Sequence, residues 1–161
     1  MQATALTPAT DCRSFWFFDT LVRVRVAATD GNEGVSILEH LAPPGNSAPT
    51  HVHDDEDEIF HILEGSIRFR LADKESVLGK GDTAIAPRGV PHTYRVESAD
   101  GARWLTVTCN KSFEQFVRAT SRPAGRDALP PPAAPPSAEA MNEIRAIANR
   151  HGIEFVGPPL S

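Results

Sequence analysis

Residues 45–65, GNSAPTHVHDDEDEIFHILEG, decide how the rest of the chain is arranged. Side chains alternate between the two faces of an extended strand, so His51 and His53 point to the same side. The carboxylate of Glu58 follows on the next extended stretch, and Gly65 supplies a turn. Two imidazoles and a carboxylate that converge in this way predict half of a metal site. A later histidine, His92, is the candidate for the other half.

Short alternating segments, separated by glycine, proline and aspartate turns, run from about residue 15 to residue 109. In residues 21–26, LVRVRV, three valines share one face and the two arginines share the other. Residues 66–71, SIRFRL, repeat this alternation, which is typical of half-buried strands. About eight or nine such strands, with no convincing helix among them, predict an all-β barrel or sandwich.

The composition changes beyond these strands. Five prolines fall in residues 129–136, which predicts an extended, polyproline-like strap. Ser137 is suited to cap a helix that begins there. An apolar stripe follows at helical spacing, at Met141, Ile144 and Ile147. A single helix of this length cannot form a domain, so we expect it to dock on the barrel, across one mouth or against a second copy of the chain.

These changes divide the chain into four parts. We predict a flexible N-terminus at residues 1–14, a barrel at 15–118, a proline-rich linker at 119–136, and a helix with its tail at 137–161, docked on the barrel. The expected fold class is therefore all-β, with one C-terminal helix after a proline-rich strap.

The 161 residues have the composition of an ordinary soluble globular protein, with 40% hydrophobic and 23% charged residues. A net charge of −5 argues against a nucleic-acid partner, because phosphate binding needs a basic face. No run approaches the roughly 20 apolar residues of a membrane span, and no secretory leader is visible. Cys12 and Cys109 form no CxxC pair and are expected to be free thiols. A cytoplasmic location is the resulting expectation.

Two motifs with fixed spacing carry a family resemblance. The first reads G-x5-H-x-H-x4-E-x6-G from Gly45, and the second reads G-x5-P-x-G-x2-H from Gly81 to His92. With these residues the chain resembles the cupin superfamily, whose motifs have this spacing, over residues 35–108. The second motif usually ends in an asparagine that is not a metal ligand. Here Val96 stands in its place, so a more apolar pocket is expected.

The resemblance implies a double-stranded β-helix barrel, similar to a jelly roll, that holds one divalent metal. Its ligands would be His51, His53, Glu58 and His92, a set that suits Fe, Mn, Ni, Cu or Zn. The segments EGSIRFRL and GDTAIAPRGVPHTYR look like those of single-domain, quercetin-dioxygenase-like cupins. In that group the substrate's hydroxyl or enol oxygen meets the metal, the glutamate takes its proton, and dioxygen attacks the activated carbanion. Glu58 would therefore be both ligand and catalytic base. Such barrels commonly pair, so a homodimer is expected.

Strand alternation places an apolar set on the inside of the barrel, beside the ligands. This predicted substrate pocket suits a flat, aromatic or enolisable small molecule and consists of Phe60, Ile62, Phe69, Tyr94 and Val96. No cluster of inward lysine or arginine is evident, which weakens the case for a sugar-phosphate isomerase. Three functions stay open: a dioxygenase, a non-redox lyase, isomerase or cyclase that uses the metal as a Lewis acid, and a non-catalytic small-molecule-binding cupin.

Other polar residues have less specific roles. Most of the acidic run at residues 54–57 is expected to be a solvated loop, and alternation turns His61 outward. Glu39 could be a second pocket carboxylate, but a surface position is favoured. The facing of His40, on the same segment, is not determined by the sequence.

Overall fold

The structure, a computed structural model, describes residues 13–161. Ser14 already belongs to the first strand, and the rest of the predicted flexible N-terminus, apart from Arg13, lies outside the described residues. The described part of the chain forms twelve strands and two helices: β1 (Ser14–Phe17), β2 (Thr20–Val26), β3 (Ser36–Ala42), β4 (Pro49–His53), β5 (Glu58–Glu64), β6 (Ser66–Leu71), β7 (Lys74–Gly79), β8 (Thr83–Ala86), β9 (His92–Val96), β10 (Ala102–Thr108), α1 (Ser112–Thr120), β11 (Arg122–Pro123), α2 (Ala138–Arg150) and β12 (Ile153–Pro159).

The strands form two antiparallel sheets that face each other. The large sheet has the order β11-β1-β2-β3-β10-β5-β8, and the small sheet has the order β12-β4-β9-β6-β7. Strands far apart in the sequence lie side by side, such as β3 beside β10 and β4 beside β12. The prediction of an all-β double-stranded β-helix is confirmed.

The alternation of apolar and polar side chains along a strand decides which of its faces points into the barrel. In β6, Ile67 and Phe69 are buried, whereas the two arginines face outward. Arg68 pairs with Glu97, directly after β9, and Arg70 pairs with Glu75 of β7. Gly65 joins β5 to β6 with φ +74°, and a Cβ there would collide with the carbonyl oxygen of Gly101. The turn therefore requires glycine, since this backbone region is unfavourable for other residues.

The barrel has two apolar cores. One joins the large sheet to the helices and is built from Val22, Val24, Ala27, Leu38, Phe113, Phe116, Val117, Ala148 and Ile153. The other fills the opposite half and is built from Ala42, Phe60, Ile62, Ile67, Phe69, Ala86, Val96, Ala102 and Trp104. The valine, leucine, isoleucine and phenylalanine side chains of both cores each contribute about 1.5–3 kcal/mol to the stability of the fold when fully buried.

The C-terminal helix docks on the barrel. Ser137 caps α2 by accepting a hydrogen bond from the backbone N–H of Ala140, and Ile144 and Ile147 pack against the first core. No helix of the described residues is long and apolar enough to cross a membrane.

Three elements were not predicted. Helix α1 follows β10 and extends past the predicted barrel boundary at residue 118, and β11 lies inside the segment predicted as a linker and pairs with β1. The tail after α2 is a strand, β12, which pairs along β4 over five residue pairs. The tail is therefore part of the small sheet.

Candidate metal centre

Four side chains from three strands meet inside the barrel. His51 and His53 lie on β4, Glu58 begins β5 and His92 begins β9. One ligand atom from each lies within 4.8 Å of the others. All four residues are buried, and the most exposed of them, His51, has 9% of its surface exposed. The structure thus brings together every predicted ligand.

Strand pairing explains this convergence. His51 of β4 is paired directly with His92 of β9, and their ring centroids are 4.3 Å apart. His53 lies two residues along the same face of β4. The acidic loop at residues 54–57 then returns the chain so that Glu58 enters from the large sheet.

Backbone carbonyl groups orient two of the imidazoles. The Nδ1 atom of His51 lies 2.8 Å from the carbonyl oxygen of Pro49, and that of His92 lies 3.0 Å from that of Val90. Because a carbonyl oxygen only accepts, each Nδ1 carries the proton and donates it. The Nε2 atoms are therefore left to face the centre of the cluster, as in metal-bound histidines.

The remaining geometry fits a cation. The Oε2 atom of Glu58 lies 2.9 Å from Nε2 of His92, 3.3 Å from Nε2 of His53 and 3.9 Å from Nε2 of His51. Nε2 of His53 is buried and has no hydrogen-bond partner. The cluster therefore offers three ring nitrogens and one carboxylate oxygen, and one of these nitrogens has no other partner. This donor set suits a divalent transition metal.

The electrostatics of the cluster also favour positive charge. Burial by itself raises the pKa of Glu58, but His53 and the other two imidazoles outweigh it and hold that pKa well below its usual range. Burial lowers the pKa of His53, yet Glu58 and Glu56 more than compensate and raise it to about 10. The pKa of His51 is lowered, chiefly by burial. The site therefore stabilises one positive charge against an ionised carboxylate.

A cavity of about 560 Å³ opens onto His51, His53 and Glu58. Its walls are mainly apolar, and one side of the mouth is formed by Phe17 and Phe18. The strap and α2 cover another side through Pro131, Ala133, Ala134, Pro135, Pro136, Met141 and Ile144. Met141 and Ile144 of α2 therefore lie beside the cavity, and packing of this helix against a second copy of the chain stays a prediction.

Residues 37–108 match the family model described as the cupin domain. The chain therefore contains a cupin domain. It is 31% identical over 99 residues to quercetin 2,3-dioxygenase of Bacillus subtilis, covering 62% of this chain and 28% of that protein. The chain spans between 28% and 58% of the length of the curated relatives that it matches.

Two solved structures have a similar fold. The polyketide cyclase RemF from Streptomyces resistomycificus has a TM-score of 0.50 and 26% identity, over 60% of this chain and 66% of that one. A predicted oxalate decarboxylase from Thermotoga maritima has a TM-score of 0.54 and 22% identity, over 56% of this chain and 80% of that one. The second shows only that the fold is shared.

The predicted substrate pocket of this cupin is divided by the structure. Phe60 and Tyr94 line the cavity. Ile62, Phe69 and Val96 do not: they point into the barrel as expected but are packed within the second core. Alternation identifies the inward face of a strand, but it does not tell which half of that interior is filled by other side chains.

The sequence did not determine which way His40 faces. In the structure His40 lines the cavity, and the centroids of its ring and the ring of Trp104 are stacked 5.0 Å apart. Alternation with the buried Leu38 could have indicated this facing. Glu39, on the opposite face, is buried and not at the surface as favoured: three arginines enclose its carboxylate, Arg23, Arg25 and Arg103. His61 faces outward as predicted, with its Nδ1 atom 2.8 Å from the hydroxyl of Thr83.

Burial of His40 predicts a pH-dependent stability. Burial lowers the pKa of His40 to about 4, although the negative charges of Glu58 and Glu39 raise it in part. In the unfolded chain His40 takes up a proton near pH 6.5, whereas in the folded protein it does so only near pH 4. The free energy of unfolding is therefore unaffected by His40 well above pH 6.5, and it falls as the pH is lowered from 6.5 to 4. Between pH 7 and pH 5 the wild type should lose about 2 kcal/mol more unfolding free energy than His40→Gln. Urea unfolding at both pH values measures this, and equal losses in the two proteins would contradict it.

Proposed function

We propose that this cupin is a metal-dependent enzyme, a dioxygenase of an uncharged, flat organic molecule with an enol or phenol oxygen. The observation that carries the proposal is the buried cluster of three histidines and one glutamate at the end of an apolar, aromatic-walled cavity. The similarity to quercetin 2,3-dioxygenase supports the same reaction class.

The walls of the cavity narrow the substrate class. Among the described residues, no lysine or arginine lines it, and its mouth carries the carboxylate of Asp19. Away from the metal, a phosphate or carboxylate group of a substrate would lose hydration along these walls without gaining a lysine or arginine partner, which is costly in an apolar site. The aromatic rings of Phe60, Tyr94 and Trp104 instead offer stacking surfaces for a flat neutral molecule.

The four ligands share one role in this proposal, and Glu58 has a second role as the catalytic base. His51, His53, Glu58 and His92 would hold the metal, which when bound supplies a Lewis acid for the substrate oxygen and a redox centre for dioxygen. Glu58 is ionised because its pKa is held low, which leaves its carboxylate free to accept a proton. A low pKa also makes it a weak base, so it would take the hydroxyl proton only because the metal lowers the pKa of that hydroxyl. The strap, especially Pro135 and its neighbours, excludes water from the reacting groups.

A second candidate is a non-redox cyclase, in which the same metal acts only as a Lewis acid. The specific support is the 26% identity to a polyketide cyclase with the same fold. The aromatic walls, and the absence of lysine and arginine from the lining in the described part of the chain, suit a polyketide substrate as well as a flavonol. Dependence on oxygen separates the two candidates.

The test begins with the purified protein reconstituted separately with Fe²⁺, Mn²⁺, Ni²⁺, Cu²⁺ and Zn²⁺. We expect oxygen consumption with a panel of flavonols and neutral 1,3-diketones for at least one redox-active metal, and none with phosphorylated sugars or oxalate. The His92→Ala variant, which lacks one ligand, is the control and should be inactive.

Anaerobic reactions decide between the candidates. Turnover without oxygen, or equal turnover with Zn²⁺, would overturn the dioxygenase assignment in favour of the Lewis-acid enzyme. Binding of panel compounds without any turnover, with or without oxygen, would contradict both and indicate a binding cupin.

A further inference from the structure

One carboxylate in the acidic loop is buried, although that loop was expected to be solvated. Glu56 has only 3% of its surface exposed, whereas its neighbours Asp54, Asp55 and Asp57 are exposed. A carboxylate is seldom buried to this degree unless other groups satisfy it. Its Oε2 atom has no hydrogen-bond partner among the described residues, so the contacts of its Oε1 atom show what it does there.

The Oε1 atom of Glu56 has two partners. The backbone N–H of Phe113 donates to it over 2.7 Å, and Nδ1 of His53 lies 3.2 Å away. A carboxylate oxygen that already accepts from an N–H can take a second donor on its other lone pair. His53 therefore carries a proton on Nδ1, and its Nε2 atom faces Glu58 and the centre of the cluster.

His53 differs in this respect from the other two histidines of the cluster. Backbone carbonyl groups two residues earlier in the chain orient His51 and His92. His53 instead depends on a side chain from the loop that follows β4. A substitution can remove that side chain without changing any ligand.

We propose that Glu56 is a positioning residue that fixes the orientation and tautomer of His53 for metal binding. This inference rests on the proposed metal site. Partners of this kind hold the ring of a metal-bound histidine and make the ligating nitrogen more basic, and their loss costs about 10- to 100-fold in metal affinity.

The same oxygen ties helix α1 to the metal site. The cap position of α1, Lys111, makes no side-chain cap hydrogen bond, so Glu56 satisfies a first-turn N–H that the helix leaves open. Beside it, Asp55 accepts a hydrogen bond from the hydroxyl of Ser112. The loop, the start of α1 and His53 are thereby held as one unit, and the ring of Phe113 lies 5.8 Å from that of His53.

The experiment compares three variants of the full chain: Glu56→Ala, Glu56→Gln and Glu114→Ala. Glu114 is the matched control, because it is also a buried carboxylate that accepts a backbone N–H, from Ala28, and touches none of the ligands. Zn²⁺ affinity is measured by competition with a chelator, and melting temperature reports stability. Nitrogen-15 NMR of the imidazoles reports the tautomer of His53 in the Zn²⁺-loaded protein.

We expect Glu56→Ala to bind Zn²⁺ about 10- to 100-fold more weakly than wild type and Glu114→Ala to bind it normally. Glu56→Gln should largely restore affinity, because its amide oxygen can accept from both Phe113 and His53, and the Phe113 N–H keeps that oxygen in place. His53 should stay protonated on Nδ1 in this variant.

The outcomes distinguish this inference from the metal site itself. Wild type that does not bind Zn²⁺ would overturn the metal site. Normal affinity in Glu56→Ala, or an equal loss in Glu56→Ala and Glu56→Gln, would overturn the positioning role while leaving the site intact. If Glu56→Ala does not fold, Glu56→Gln tests the positioning role. Near-wild-type Zn²⁺ affinity with His53 protonated on Nδ1 would support that role, and a clear loss of affinity would overturn it.

Discussion

The His92→Ala variant should lose metal binding while keeping the fold. If four ligands share roughly 10–16 kcal/mol of binding free energy, the loss of one costs roughly 100- to 1,000-fold in affinity. His92 joins the two sheets at the cluster, since its Nε2 atom lies 2.9 Å from Glu58 of the large sheet. Elemental analysis of freshly purified protein and Zn²⁺ titration measure the effect, and circular dichroism checks the fold.

The control for this prediction is His61→Ala. His61 is also a histidine of the barrel, but it faces outward and contacts Thr83 instead of the cluster. It should bind metal as wild type does. Equal metal content in His92→Ala and wild type would show that these side chains do not hold the cation.

Truncation after Arg122 should unfold much of the barrel and abolish metal binding. It removes α2 and β12, with the buried side chains of Ile153, Ala148 and Leu160. Together with the half-buried Phe155 and its neighbours, these contribute on the order of 6–10 kcal/mol, which is comparable to the whole stability of a domain. Melting curves and Zn²⁺ titration of the truncated chain measure the result.

The metal-binding loss has a local reason as well. Strand β4 pairs with β9 only through His51 and His92, whereas β12 pairs with β4 over five residue pairs. Removing β12 therefore frees the strand that carries two of the four ligands.

A replacement of residues 129–136 by glycine and serine is the matched control for the truncation. It opens the cavity but keeps α2 and β12, so melting temperature and Zn²⁺ affinity should change little, while binding of an apolar dye should increase. An unchanged melting temperature in the truncated chain would contradict the docking of α2 and β12.

Local alternation in the sequence was sufficient to predict an all-β fold and half of the ligand cluster, whereas the double-stranded β-helix and the full ligand set were implied by the resemblance of the two motifs to cupins. The spacing of His51, His53 and Glu58 requires only alternation along a strand and one return of the chain. The helix from Ser137 is likewise indicated by its cap and its apolar stripe.

The parts that the sequence did not predict depend on partners far along the chain. The burial of Glu56 depends on α1, more than 50 residues later, which offers it an N–H group in addition to the imidazole of His53. β12 is a strand only because the open edge of β4 receives it, and its two prolines and its glycine gave no strand pattern. Ile62 and Val96 could not be separated from the cavity wall because alternation alone does not describe which side chains fill the barrel.

The position of β12 also bears on how the protein matures in the cell. A ribosome completes His51, His53, Glu58 and His92 well before it reaches residues 153–159. During that interval β4 has an unpaired edge, which is prone to associate with other chains. We therefore expect the nascent chain to acquire its cation only after β12 has been synthesised, and to be most vulnerable to aggregation just before that moment.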